Sequence, residues 1–205
     1  MCSTLRLIFN TTQQDYRLNN QGNVVSAQHK FATKSEWDLI KAVQDGDKQA
    51  YNQLYREYVG QVYGLCYRLT SEKMLAEDAT QEVFIQLWRK IGNFKGDSKF
   101  STWLHTVTSN ITISYIRKQK GWLQKMFTIE DSVAINTVAE ESSSSVDLES
   151  YVVRLPERAR IVFVLHAIEG YRHQEIATMT GMAVGSSKAQ FHRAKQLLKE
   201  WMGYE

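Results

Sequence analysis

The side chains able to do acid–base, nucleophilic or metal chemistry are scattered along the chain. His105, His166, His173 and His192 stand in separate stretches, and no HExxH or other paired-ligand spacing joins them. The sequence contains no P-loop, no GxGxxG after a strand-like run and no nucleophile elbow. Cys2 and Cys66 are the only cysteines. Cys66 sits among apolar neighbours at helical spacing, so neither a disulfide framework nor a CxxC metal site is available, and a reducing compartment fits. The expectation is no catalytic residue, no metal and no cofactor, so that the chain is not an enzyme.

Binding chemistry is better represented. AEDATQEVFIQLW carries Asp78, Gln81 and Glu82 beside Phe84; the three polar side chains fall at spacings that put them on one helical face. FKGDSKFSTWLHTVTSNITISYIRK is basic and aromatic, with Lys95, Lys99, Phe100, Trp103, Asn110, Arg117 and Lys118. Near the C-terminus, Ser186, Lys188, Ala189, Gln190, His192 and Arg193 lie away from an apolar stripe. Each set has a plainer reading. Carboxylates at i and i+4 are usually solvated, and a tryptophan at helical spacing is more often core. A polar face on a short helix pair is often only a solvated face.

The elements that must position these sets read as helices. Ser35, followed by Glu36, Trp37 and Asp38, resembles a capping box, opening a helix with Trp37, Ile40 and Val43 on one side and an end near Gly46. From Lys48 to Leu69 apolar residues recur at Tyr51, Leu54, Tyr55, Tyr58, Val62, Leu65, Cys66 and Leu69, the period of an amphipathic helix. A third pattern runs through Ala76, Ala79, Val83, Phe84, Leu87, Trp88 and Ile91 and closes at Gly92 and Asn93. A fourth helix is predicted from about Ser101 to Arg117, with Leu104, Val107, Thr108 and Ile111 facing inward.

Periodicity fades across residues 121–150, which include the run Ser142 to Ser145, and this segment is expected to be a flexible linker. It resumes from Tyr151 to Ile168, where Gly170 suits a left-handed terminus. A short helix from His173 to Met179, a turn at Gly181 and a last helix from about Val184 to Trp201 give the layout of a helix-turn-helix. The buried side of that last helix is marked by Val184, Ser187, Phe191, Ala194, Leu198 and Trp201. The fold class is therefore all-α: two small helical domains joined by a flexible linker, the C-terminal one a helix-turn-helix. The expected divisions are a poorly ordered extension (1–34), a helical domain (35–120), the linker (121–150) and the helix-turn-helix domain (151–205).

Charge follows this division. Lys and Arg exceed Asp and Glu by 3 in residues 1–34, by 2 in 35–120 and by 3 in 151–205, whereas residues 121–150 carry a net −5. Two basic blocks around an acidic one suggest two nucleic-acid-facing bodies, although excesses this small are equally those of a solvated surface. The start has too short an apolar run for a secretory signal, and no stretch approaches the roughly 18 apolar residues of a membrane helix. A cytoplasmic protein without membrane insertion is expected.

LPERARIVFVLHAIEGYRHQEIATMTGMAVGSSKAQFHRAKQLL resembles the fourth conserved region of extracytoplasmic-function sigma factors. It has the leucine-proline start at Leu155 and Pro156, the glycine-aromatic step at Gly170 and Tyr171, and the EIA triplet at Glu175 to Ala177. The recognition-helix pattern falls on Gly185, Ser186, Lys188, Arg193 and Ala194. The first block resembles the second conserved region of the same family, through the D-x-x-Q-E-x-F helix at Asp78, Gln81, Glu82 and Phe84. The F-x-G and F-x-T-W-L segments fall on Phe94, Gly96, Phe100, Thr102, Trp103 and Leu104, with Asn110 and Arg117 after them. Ala183 and Val184 depart from the family's capping pattern, so Ser186 is expected to start the recognition helix. Ala189 and Ser114 replace a frequent Ser and a frequent Asp.

The resemblance implies an alternative sigma factor that binds core RNA polymerase and directs promoter recognition and opening, with an anti-sigma factor as a further partner to be identified. It assigns Asp78, Gln81, Glu82 and Phe84 to polymerase docking. Lys95, Lys99, Phe100, Trp103, Asn110, Arg117 and Lys118 go to the minus-ten element, with Lys99 and Asn110 as the foremost DNA contacts and Trp103 as a support of the loop. Ser186, Lys188, Gln190, His192 and Arg193 go to the minus-thirty-five element. It also implies that the acidic linker lies in a basic polymerase channel. A helix-turn-helix regulator with an N-terminal sensor or partner-binding domain is the competing reading, but it gives no reason for both the D-x-x-Q-E-x-F helix and the FSTWL loop.

Overall fold

A computed structural model describes residues 35–126 and 148–203, and every regular element in it is helical, as expected. In chain order these are α1 (Glu36–Gln44), α2 (Lys48–Thr70), α3 (Lys73–Lys90), a 3₁₀ turn (Ile91–Asn93), α4 (Phe100–Met126), α5 (Leu148–Arg154), α6 (Glu157–Phe163), a π-helical turn (Val164–Ile168), α7 (His173–Thr180) and α8 (Val184–Met202). The N-terminal extension and most of the expected linker lie outside the described residues.

The chain packs as two compact units whose boundaries cut through helices. The first takes residues up to Gly64 and Thr80–Val107; the second takes Leu65–Ala79 and everything from Thr108 onward. In the first unit, Ser35 caps α1 by accepting from the Asp38 N–H at 3.2 Å, as the sequence suggests. Leu39, Ile40 and Val43 form its buried side, whereas Trp37 is 40% exposed, against expectation. In this unit α2 buries Tyr51, Leu54, Tyr55, Tyr58 and Val62, the positions marked by periodicity, together with Ala50. Aromatic rings fill the centre. Tyr55 meets Phe84 at 4.6 Å and Tyr58 meets Phe100 at 5.2 Å between centroids. Each such side chain contributes roughly 1.5–3 kcal/mol when fully buried. The buried Tyr51 hydroxyl donates to the Phe84 carbonyl at 2.6 Å, and burial pushes its phenol pKa well up.

In the second unit, Leu65, Leu69 and Ile113 share one apolar cluster with Val152, Leu155, Val162, Leu165, Ile176, Ala194 and Leu198. Arg160 is the charged side chain buried there among the described residues, 6% exposed. Its guanidinium donates to four main-chain carbonyls: Leu155 and Thr70 at 3.0 Å, Leu69 and Val153 at 3.4 Å. Those bonds offset part of the desolvation that lowers its pKa.

Three boundaries differ from expectation. The helix expected to end near Arg117 continues to Met126, and helix resumes at Leu148, before Tyr151. The apolar run from Tyr151 to Ile168 is divided at Leu155–Pro156: proline has no N–H to donate and disfavours helical backbone at the residue before it. Gly170 does take the left-handed backbone expected of it, at φ 77°, and Gly181, where a turn was expected, is left-handed too at φ 74°.

Candidate nucleic-acid and polymerase interface

On α3 the acidic face forms as the spacing predicts. Asp78 is exposed, and Gln81 and Glu82 are half-buried. Asp78 is oriented from α4, where the Tyr115 hydroxyl donates to its Oδ2 at 3.1 Å and Gln119 Nε2 donates in turn to that hydroxyl at 2.9 Å. Burial and the nearby Asp78 raise the Tyr115 pKa, which keeps the phenol a donor; the Gln119 bond acts in the opposite sense. Glu82 Oε1 accepts from Gln86 Nε2 at 2.9 Å. Phe84 does not join this face. It is 3% exposed and packed on Tyr55, so its assignment to polymerase docking is corrected: it holds α3 against α2.

The loop before α4 is shaped by its aromatic residues. Gln44 Nε2 donates to the carbonyls of Ile91 and Phe94 at 2.9 Å each, fixing the 3₁₀ turn that leads into the loop. Phe94 meets Phe100 at 5.3 Å and Trp103 at 5.4 Å, so the three rings anchor both ends of the loop. Gly96 has φ 84°, and a Cβ there would stand 2.8 Å from Trp37 Cη2. Only glycine meets both demands without a shift. Lys95 and Lys99 are exposed on this loop.

Phe100 is 1% exposed, which corrects its assignment to DNA contact, because no base can reach it without unfolding the ring cluster. Trp103 is half-buried against Phe94 and Phe100. Asn110, Arg117 and Lys118, further along α4, belong to the second unit and are exposed. Arg117 Nη1 donates to the Met179 carbonyl at 3.4 Å.

On α8 the two faces separate as expected. Ser187 and Ala194 are fully buried and Leu198 is 6% exposed. Ser186, Lys188, His192 and Arg193 are exposed, and Gln190 is half-buried. The N-cap is Ala183, and no side chain caps the helix; Ser186 lies inside it, correcting the expectation that it would start the helix. No acidic residue precedes Glu200 on α8, so its first turns present positive charge at the positive end of the helix dipole.

Sequence reasoning missed Tyr115, Arg160 and the histidine pair behind α8. His166 and His173 stack with ring centroids 4.2 Å apart, and both rings meet Phe191 edge-on, at 4.6 and 5.9 Å. The available signals were a serine inside an apolar stripe and an arginine inside the run ARIVFVL.

Comparison with known proteins bears on both helical blocks. Residues 54–121 match the family model Sigma-70 region 2, and residues 145–198 match Sigma-70, region 4. The chain is 31% identical over 174 residues to the ECF RNA polymerase sigma factor SigW of Bacillus subtilis, covering 78% of this chain and 93% of that protein. It is 30% identical to the ECF RNA polymerase sigma-E factor of Haemophilus influenzae, covering 78% of this chain and 92% of the relative. Among solved structures, the sigma factor RpoE of Bartonella quintana, in complex with the anti-sigma factor NepR, superposes with a TM-score of 0.50 at 25% identity, over 77% of this chain and 99% of that one. The two matched regions stand in the order that the sequence motifs imply, one holding the acidic α3 face and the aromatic loop, the other the basic face of α8, and the chain belongs to the extracytoplasmic-function branch of the sigma-70 family.

Proposed function

We propose that this alternative sigma factor divides its work among three surfaces. Asp78, Gln81 and Glu82 dock on core RNA polymerase. Lys95, Lys99, Asn110, Arg117 and Lys118 hold the minus-ten DNA, with Trp103 supporting the loop. Ser186, Lys188, Gln190, His192 and Arg193 read the minus-thirty-five element in the major groove. The observation that carries the reading is the face of α8: buried Ser187 and Ala194 fix the helix by one side and leave Lys188, His192 and Arg193 outward in its first turns. Lysine there serves phosphate, while Gln190 can pair with adenine and Arg193 with guanine or phosphate.

The protein acts by binding, with no catalytic step of its own. In support, both matched regions are those of sigma factors, which bind DNA and polymerase. It works where the polymerase works, in the cytoplasm; no described helix is long and apolar enough to cross a membrane. The relative solved with NepR suggests an anti-sigma factor as a further partner. The region-two match of the first block leaves no room for the sensor-domain reading.

The test adds purified protein to bacterial core polymerase and measures promoter-specific initiation, beside Gln81→Ala/Glu82→Ala. The double variant should bind core polymerase more weakly while its stability shifts by no more than about 0.5 kcal/mol. Unchanged affinity for core polymerase would remove the docking assignment.

A further inference from the structure

Three elements meet behind the exposed face of α8. His166 lies on the π-helical turn, His173 is the first residue of α7, and Ser187 is fully buried on α8 beside exposed Lys188. His166 Nδ1 stands 2.7 Å from the Tyr171 carbonyl. A carbonyl only accepts, so that nitrogen carries the proton. His173 Nδ1 is 2.9 Å from Ser187 Oγ. The stacked imidazoles thus connect the turn before α7 to the buried side of α8, within one turn of Lys188 and Gln190.

We propose that His173 is a positioning residue for the reading helix: through Ser187 it sets the rotation and height of the first turns of α8, and protonation of the histidine pair loosens that setting and weakens promoter binding. The proposal rests on the reading of α8 as the minus-thirty-five element's contact. Charge on His173 is repelled by Lys188 and by charge on the His166 ring 4.2 Å away, and the repulsion is relieved when His173 releases Ser187 or α7 shifts from the π turn. The charged groups facing His173 act in the same sense. Burial, His166 and Lys188 together lower its pKa, so the arrangement favours the neutral ring. On its own helix, Arg172 and Glu175 point outward, and Glu175 Oε2 accepts from the Arg172 N–H at 2.7 Å. Exposed His192, on the outward face of α8, is present in wild type and variant alike and cancels from a comparison of the two.

The experiment uses the full-length protein with core polymerase on a duplex selected by the wild-type complex from a random pool. Affinity is measured from pH 7.5 to 5.5 for wild type, His173→Asn, His173→Ala and Lys188→Ala, with a thermal midpoint for each at both ends. Asparagine keeps a hydrogen-bonding group for Ser187 and takes no proton. Relative to His173→Asn, wild type should lose about three- to tenfold in affinity across the range, a modest coupling between the histidine and the DNA site. His173→Ala should bind weakly at every pH. Should the alanine variant not fold, the asparagine comparison decides alone. Equal pH slopes in wild type and His173→Asn would overturn the proposal. If Lys188→Ala leaves affinity unaltered, the reading of α8 fails; if it weakens binding while both His173 variants track wild type, only the histidine inference fails.

Discussion

The loop before α4 and the helix-turn-helix present similar side chains to solvent but hold them in different ways. On the loop, exposed Lys99 precedes Phe100, which is 1% exposed, so outward and inward residues alternate along the chain. On α8 they are sorted by face: Ser187 and Ala194 inward, Lys188, His192 and Arg193 outward. A helix separates the two tasks by rotation, which a short loop cannot do; the loop depends instead on the Phe94, Phe100 and Trp103 rings at its ends. Substitutions one residue apart should therefore have unlike effects on the loop, and effects on α8 should follow the helical period.

The largest effect is expected at the loop's anchor. Phe100→Ala should destabilise the protein by about 3–5 kcal/mol, read as a lowered urea midpoint, because the cavity opens among Tyr58, Phe94 and Trp103. A loss below about 1 kcal/mol would show that the rings do not anchor the loop. The second unit offers a polar counterpart: Arg160→Met fills similar volume but leaves four carbonyls without their donor, and should cost about 1–3 kcal/mol by the same assay.

A third expectation concerns the pH dependence of the first unit. Tyr58 donates to Glu36 Oε1, and burial, followed by that bond and the charge of Glu36, raises its pKa. The folded state keeps the phenol neutral after the unfolded chain begins to ionise, so stability is full below about pH 10 and falls above it. Tyr58→Phe should flatten the alkaline fall in urea midpoint, and an unchanged slope would remove Tyr58 as its source. The smallest shift in stability, within about 0.5 kcal/mol, is expected for Lys99→Ala and Lys188→Ala. Each should nonetheless lower the salt slope of promoter binding by about one unit. A large stability loss at Lys99 would mean that the loop's exposed and buried positions are not independent.

Much of this was legible in the sequence because helical periodicity reports burial directly. All eight apolar positions read on α2 are buried. Trp37 defeated the same reasoning, since a ring at the first turn of a short helix can lie across a neighbouring loop instead of entering the core. Phe84 and Phe100 show a different limit: a family motif marks that a residue matters, without saying whether it matters through contact or through packing. Burial alone separates the two, and burial depends on tertiary neighbours. The histidine pair was illegible for a related reason. His166 and His173 lie on opposite sides of the Gly170 turn, and only the left-handed backbone there brings their rings together.

Gly96 has a consequence for how the sequence can drift. Its left-handed backbone strains other side chains, and an added Cβ also meets the Trp37 ring at 2.8 Å and must displace it, so this double lock makes a first mutation at position 96 costlier while tryptophan stands at 37. Loss of the indole opens only the steric half of that lock, and asparagine, which tolerates left-handed backbone better than other side chains, becomes the most accessible second step. Positions 37 and 96, remote in the chain, should therefore change in a fixed order in a saturation library, with tryptophan lost first and glycine second.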